Sequence, residues 1–71
     1  MNTFNPRKLG LSKWTACNPI NREKHFLVLQ LLCDEQGAPI KVELQAVHSA
    51  RIEWLDWQAL RDSTRWKMGW H

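Results

Sequence analysis

Apolar and polar positions alternate most clearly in the middle of the chain, over residues 40–48. One side carries Ile40, Val42, Leu44 and Ala46, and the other carries Lys41, Glu43, Gln45 and Val47. This two-residue period predicts a strand with one buried face. Residues 25–34 are apolar nearly throughout, which is typical of a strand covered on both faces. Because residues 34–39 between them contain Gly37, we predict an antiparallel hairpin.

The chain before this hairpin is more polar. Residues 1–10 contain Pro6 and end in glycine, and they predict an extended N-terminal arm. Residues 11–17 alternate and predict a short strand. Residues 18–21 predict a turn, because Pro19 fixes its own φ and disfavours a helical residue before it.

The first part of the C-terminal third is compatible with two kinds of secondary structure. Residues 49–62 can be read as a helix capped by Ser49, or as a strand followed by a helical turn. We favour a strand over about 51–55, with Asp56 capping one or two helical turns that end at Asp62. Residues 65–70 then predict a last short strand with Trp66, Met68 and Trp70 on one face.

These elements together predict a mainly β fold. The expected architecture is a small antiparallel sheet, or an SH3-like barrel, of about five strands with one short helical turn before the last strand. Residues 11–71 would form a single small β domain preceded by the arm of residues 1–10.

Composition adds an unusual aromatic content. The chain has five tryptophans and no tyrosine, and four of the tryptophans lie after position 53. One tryptophan buries roughly 150–250 Å², so five of them can supply much of a thin core or can offer flat faces to a ligand. We expect most of them inside, with Trp14 and Trp54 in the core and one or two others partly exposed.

The net charge of +3 is unevenly distributed. Both ends of the chain are basic and the middle is acidic, but no more than two basic residues are adjacent. Two cysteines are too few for a disulfide framework, and the first residues lack the apolar stretch of a secretory signal. Residues 26–33, the longest apolar stretch, are too short to span a membrane. We therefore expect a cytoplasmic protein without membrane contact.

Several segments carry a family resemblance that covers nearly the whole chain. They are Lys-Trp-Thr-Ala at 13–16, Lys-His-Phe-Leu-Val at 24–28, Asp-Trp-x-x-Leu-x-Asp at 56–62 and Trp-x-x-Gly-Trp at 66–70. The chain resembles a small tryptophan-rich family of uncharacterised bacterial proteins, a domain of unknown function. The resemblance implies no activity and supplies no catalytic residues.

The sequence offers little to catalysis or metal binding. The four candidate zinc ligands are Cys17, His25, Cys33 and His48. They are far apart in sequence, and no closely spaced pair is present to preorganise a site. The glycines are isolated, so there is no phosphate-binding loop. We expect no enzyme, no metal and no cofactor.

The remaining candidate is a binding surface in the C-terminal third, where aromatic and basic side chains cluster. Its members are Trp57, Arg61, Arg65, Trp66, Lys67 and Trp70, and the basic residues of positions 7–13 would join them. We expect a non-catalytic binding or accessory domain, and a protein partner is favoured because the charge is modest. Single-stranded nucleic acid is the alternative, since bases stack on aromatic faces beside cations. A purely structural domain with interior tryptophans also stays open, as does the oligomeric state.

Overall fold

The computed structural model describes residues 1–71 and contains five antiparallel strands in one sheet. They are β1 (Lys13–Ile20), β2 (Glu23–Cys33), β3 (Pro39–Ala46), β4 (Ile52–Asp56) and β5 (Trp66–Met68). Short 3-10 turns occupy Pro6–Lys8 and Trp57–Arg61. The strand order is β4-β3-β2-β1-β5. The expected mainly β fold of five antiparallel strands is confirmed, but the sheet is open rather than closed into a barrel.

The β2–β3 hairpin forms the centre of the sheet, as predicted. Val28 pairs with Leu44, and Phe26 pairs with Ala46, so these four side chains share the buried face. In the loop, Asp34 Oδ1 accepts hydrogen bonds from the backbone nitrogens of Gln36 and Ala38, each at 2.9 Å. The predicted hairpin and the inward face of residues 42–46 are therefore confirmed.

The prediction that β2 is covered on both faces is wrong. Leu27 and Leu29 are only half-buried, while Leu32 is 46% exposed. Leu27 pairs with Gln45, which places both on the face opposite to the core. That face carries no covering layer of helix or sheet. The apolar sequence of β2 therefore indicates a long central strand, but not one that is buried on both faces.

The first turn also differs from the prediction. β1 continues through Pro19 to Ile20, and the chain reverses at Asn21 and Arg22, whose φ angles are 56° and 65°. Two successive residues in the left-handed region are typical of a tight two-residue hairpin turn. The β1–β2 register is interrupted between Thr15 and Ile20, and a proline lacking an amide hydrogen is tolerated at such an irregularity.

One face of the sheet holds the core, and we call it the core face. Its buried apolar residues are Leu9, Trp14, Phe26, Val28, Val42, Leu44, Ala46, Leu60 and Trp66. Leu9 and Leu60 do not belong to strands, so the N-terminal segment and the second 3-10 turn cover this face. We call the opposite side the outer face.

The N-terminal segment packs against the sheet. The Phe4 ring makes edge contacts with Trp14 at 5.4 Å and with Trp57 at 6.1 Å between centroids. Asn2 donates side-chain hydrogen bonds to the carbonyl oxygens of Leu60 and Trp66, each at 2.8 Å. Residues 1–10 thus include a 3-10 turn and a core residue, and in this respect they differ from the expected extended arm.

The crossing from β4 to β5 follows the sequence prediction. The Asp56 carboxylate accepts a hydrogen bond from the Gln58 amide at 2.9 Å and caps the second 3-10 turn. Leu60 points inward and is fully buried. At the end of the crossing, Asp62 accepts hydrogen bonds from the backbone nitrogen and the hydroxyl of Thr64, at 2.9 and 2.6 Å.

The outer edge of β4 presents unpaired backbone groups. The Ala46 amide donates to the Arg51 carbonyl oxygen at 2.9 Å, which marks these two as a hydrogen-bonded pair. Hydrogen-bonded pairs alternate along an antiparallel ladder, so Glu53 and Leu55 also bond to β3. The N–H and C=O groups of Ile52 and Trp54, and the N–H of Asp56, are left pointing away from the sheet.

This geometry predicts alternating amide exchange along β4. The amides of Glu53 and Leu55 should exchange slowly, because they donate within the sheet. The amides of Ile52, Trp54 and Asp56 should exchange rapidly, and hydrogen–deuterium exchange followed by NMR measures both groups. Equal protection along β4 would contradict an open edge.

Candidate functional site

The five tryptophans occupy different environments. Trp14 and Trp66 are buried, with exposed fractions of 1% and 7%, and Trp57 is half-buried. Trp54 and Trp70 are 46% and 43% exposed. The expectation that Trp14 lies in the core is confirmed. The same expectation for Trp54 is wrong, because Trp54 pairs with Glu43 and therefore lies on the outer face.

Trp66 is a core residue, although the sequence placed it in the binding surface. Its ring packs edge-to-face on Phe26 with centroids 5.1 Å apart, and its Cα pairs with Ala16 on the core face. The indole Nε1 is buried and has no hydrogen-bond acceptor within the protein. Trp66 therefore serves the core and exposes only a small part of its ring.

Trp70 lies on the outer face, not beside Trp66 and Met68 as predicted. Gly69 has φ of 83°, which turns the chain at the end of β5. The Trp70 indole Nε1 then donates a hydrogen bond to the Phe26 carbonyl oxygen at 3.0 Å. Lys13 Nζ lies 4.9 Å from the Trp70 ring centroid, and the His25 ring lies 5.9 Å from it.

Thr15 in β1 holds the segment of residues 69–71 through two hydrogen bonds. Its hydroxyl donates to the Gly69 carbonyl oxygen at 2.7 Å and accepts from the His71 amide at 3.0 Å. Thr15 pairs with His25 in β2 and with Lys67 in β5, so all three share the outer face. We define the basic aromatic patch as Lys13, His25, Lys67 and Trp70.

The remaining predicted residues lie elsewhere. Trp57 packs on Phe4 at the covered side of the sheet. The Arg61 side chain points toward Met1, with Nη2 3.4 Å from Sδ. Arg65 lines a cavity that also reaches β4. The structure thus brings Lys67 and Trp70 together on one face, whereas Trp57, Arg61, Arg65 and Trp66 belong to other surroundings.

An open cavity of about 280 Å³ lies on the core face between the two edge strands, and we call it the seam cavity. Its lining comprises Ala16, Asn18, Ile20, Glu23, Phe26, Arg51, Glu53, Arg65 and Trp66. Residues from both β4 and β5 border it although these strands are at opposite ends of the strand order. The sheet is therefore curled, and the seam cavity marks the gap where a barrel would close.

A buried carboxylate organises one wall of the seam cavity. Glu23 is 8% exposed and accepts hydrogen bonds from Arg51 Nη2 at 2.8 Å and Arg51 Nε at 2.9 Å, and from the Ser49 hydroxyl. The Arg51 hydrogen bond is the largest cause that lowers the pKa of Glu23 to about 2, and the Ser49 hydrogen bond adds to it. The hydrogen bonds that Arg51 donates to Glu23 and Glu53 raise the pKa of Arg51. The cluster ties the start of β2 to the β3–β4 connection.

The Glu23–Arg51 pair predicts loss of stability in acid. A carboxylate whose folded pKa is lowered stabilises the fold above its ordinary pKa near 4.5, and this contribution disappears as the pH falls toward about 2. Thermal unfolding of wild type and Glu23→Gln between these pH values measures it. We expect Glu23→Gln to unfold at a lower temperature at neutral pH and to lose less stability on acidification.

The matched control is Glu53→Gln, which removes the exposed partner of Arg51. It should leave most of the acid sensitivity in place. Asp62 contributes in the same direction in all three proteins, because hydrogen bonds from Thr64 lower its pKa. Identical pH profiles for wild type and Glu23→Gln would refute the role given to Glu23.

A second prediction concerns the turn that carries Trp70. In Gly69→Ala the new Cβ would meet only His71 Nε2 at 3.7 Å, so the cost comes from the left-handed backbone and not from a clash. We expect a loss of about 1–2 kcal/mol in the free energy of unfolding. Acrylamide quenching of tryptophan emission should increase as Trp70 is released. Gly10→Ala is the control, since nothing lies within 4 Å of its Cβ; a loss equal to that of Gly69→Ala would exclude the backbone explanation.

No arrangement of side chains forms a metal centre. No group of three or more histidine, cysteine, aspartate or glutamate side chains is close enough to hold a metal ion. Cys17 and Cys33 are free, and the Cys17 Sγ lies 3.8 Å from the Ser63 carbonyl oxygen. No helix of the structure is both long and apolar enough to cross a bilayer.

Comparison with protein families matches residues 12–71 to a family described as tryptophan-rich protein (DUF2389), a domain of unknown function. The chain belongs to this family. The match spans all five strands, the second 3-10 turn and the segment that carries Trp70. Neither the curated proteins nor the solved structures gave a match. The family resemblance noted from the sequence is therefore confirmed, and it brings no assigned activity with it.

Sequence reasoning found one part of the site only loosely and missed another. The sequence joined the basic residues of 7–13 to the C-terminal surface, but only the turn at Gly69 shows that Trp70 meets Lys13. Glu23 and Arg51 are 28 positions apart, and no local pattern links them. Only the pairing of β2 with β3 places the start of β2 beside the β3–β4 connection.

Proposed function

We propose that this tryptophan-rich protein is a small non-catalytic binding or accessory domain of the cytoplasm, and that it contacts a protein partner through the basic aromatic patch. The observation that carries the proposal is Trp70. Its ring is 43% exposed although its indole nitrogen is fixed by a hydrogen bond to Phe26. A half-exposed aromatic ring held in one position loses little conformational entropy on binding, as interface anchors do.

The charge around Trp70 supports an acidic partner surface. Lys13 lies over the ring and Lys67 shares the outer face with it, and no carboxylate forms a salt bridge with either lysine. Opposite charges across an interface speed association and fix its register. A partner that offers an apolar contact ringed by aspartate or glutamate therefore fits this patch.

The fold supports a binding role as well. The strand order and the 3-10 turn before the last strand agree with an SH3-like arrangement, which we propose as the parent architecture of the open sheet. Small β folds of this size hold partners on exposed faces and edges more readily than they enclose substrates.

Single-stranded nucleic acid is the alternative partner, and the exposed Trp70 ring beside two lysines favours it. Bases stack on such rings while phosphates meet the cations. Against it, the Lys13 ammonium already lies over the ring, and the His25 ring lies near it. The outer face also turns acidic toward β4, where Glu43 and Asp56 lie.

The proposal predicts that charge reversal at Lys67 weakens partner binding. Lys67 is exposed, so Lys67→Glu should fold normally and reduce the affinity by about tenfold. Quantitative capture from the native lysate would identify proteins retained by wild type and lost by the variant. Calorimetry with the purified partner then measures the affinity.

Lys8→Glu is the matched control, because Lys8 is exposed in the first 3-10 turn, away from the outer face. Equal binding by wild type, Lys67→Glu and Lys8→Glu would contradict the proposed surface. Titration with an oligothymidylate separates the alternative: quenching of tryptophan emission that weakens steeply with salt would support nucleic acid instead.

A further inference from the structure

We infer that the protein partner supplies an extended segment that adds as a strand to β4 and places one apolar side chain in the seam cavity. The inference rests on the proposed function for the class of partner and names how that partner is held. It joins three features that the basic aromatic patch does not use: the open edge of β4, the seam cavity and Arg65, which forms no salt bridge.

The first observation is the unsatisfied edge. Ile52 and Trp54 each direct one backbone donor and one acceptor away from β3, and Asp56 directs its N–H there, while its C=O belongs to the 3-10 turn that it caps. β4 contains neither proline nor lysine, the residues that commonly guard an edge. Its outward side chains Ile52 and Trp54 are 49% and 46% exposed, so an added strand would also bury apolar surface.

The second observation is a cavity at the correct side of that edge. Side chains of an added strand alternate between the two faces. The residue opposite Glu53 would face the core side, because the Glu53 side chain itself lines the seam cavity. Phe26 and Trp66 provide apolar walls, and about 280 Å³ exceeds the roughly 150 Å³ cavity that holds benzene in another protein.

The third observation is the charge balance of the seam. Arg51 is engaged by Glu23 and Glu53, whereas Arg65 on the β5 side has no carboxylate within salt-bridge distance. An acidic side chain two positions from the apolar one shares its face and would pair with Arg65. The expected segment therefore combines one large apolar residue with an aspartate or glutamate two positions away.

Charge also argues against a second copy of this chain as the added strand. β4 carries Glu53 and Asp56 and no basic residue. Glu53 faces the core side and Asp56 the outer face, so pairing two β4 strands would place two carboxylates on each face, and like charges on adjacent strands are destabilising. A segment from a different protein avoids this repulsion.

The test uses a displayed library of random peptides about ten residues long, selected on the intact protein. Selected peptides should contain a large apolar residue with an aspartate or glutamate two positions away. Synthetic versions should slow the exchange of the Ile52, Trp54 and Asp56 amides and leave Glu53 and Leu55 unchanged. This readout reports strand addition directly, without any variant.

Matched variants separate the backbone from the side chain. Trp54→Pro and Trp54→Thr both remove the indole, but only proline removes the outward N–H, and it leaves the hydrogen bonds to β3 intact. Affinity should fall at least about tenfold further in Trp54→Pro than in Trp54→Thr. Ile52→Pro and Ile52→Thr repeat the comparison if Trp54→Pro fails to fold.

A second pair of variants tests the charge in the seam cavity. Arg65→Gln should weaken peptide binding, while Arg61→Gln, which loses the same charge outside the cavity, should not.

Equal affinities of the proline and threonine variants would overturn the inference, as would failure to select any peptide. Protection of the three outward amides without peptide, together with a dimer mass, would overturn it in favour of a second copy. None of these results decides the proposed function, which depends on Lys67→Glu against the captured partner. If that partner is lost with Lys67→Glu but binds Trp54→Pro and Trp54→Thr equally, the function stands and the strand addition fails.

Discussion

The structure depends on one constraint: the apolar face of the sheet must be covered by a second layer of chain. The buried side chains Val28, Val42 and Leu44 need a second layer, and a chain of 71 residues has little material beyond the sheet to form one. The N-terminal segment and the 3-10 turn of Trp57–Arg61 supply that layer on the core face. The outer face receives only the short segment around Trp70 and is otherwise open.

Because mainly the core face is covered, the tryptophans on the two faces differ in exposure. Trp14 and Trp66 lie on the covered side and thicken a core that aliphatic residues alone would leave thin. Trp54 and Trp70 lie on the open side, and Trp70 is held there by the Phe26 carbonyl oxygen and the Lys13 ammonium. The same residue type thus stabilises one face and offers contact surface on the other.

The curl of the sheet links its two ends. β4 and β5 are the edge strands, yet Glu53 and Arg65 border one cavity. The curled, open sheet leaves backbone groups of β4 unpaired beside a concave space. The Glu23–Arg51 pair borders that space and ties the β3–β4 connection to the start of β2. The open edge and the seam cavity are therefore two consequences of a sheet that curls without closing.

The sequence by itself determined the hairpin of β2 and β3, because alternation is a local property of neighbouring residues. It favoured, over a helix, a strand at about 51–55 followed by a turn capped by Asp56, and the structure has that strand at Ile52–Asp56. It determined only that aromatic and basic residues cluster near the C-terminus. Tertiary structure decided which of them face solvent. The positive φ of Gly69 sends Trp70 to the face opposite Trp66, and Glu23 meets Arg51 through strand pairing across 28 positions. Such contacts depend on the register of the whole sheet, which no local pattern encodes.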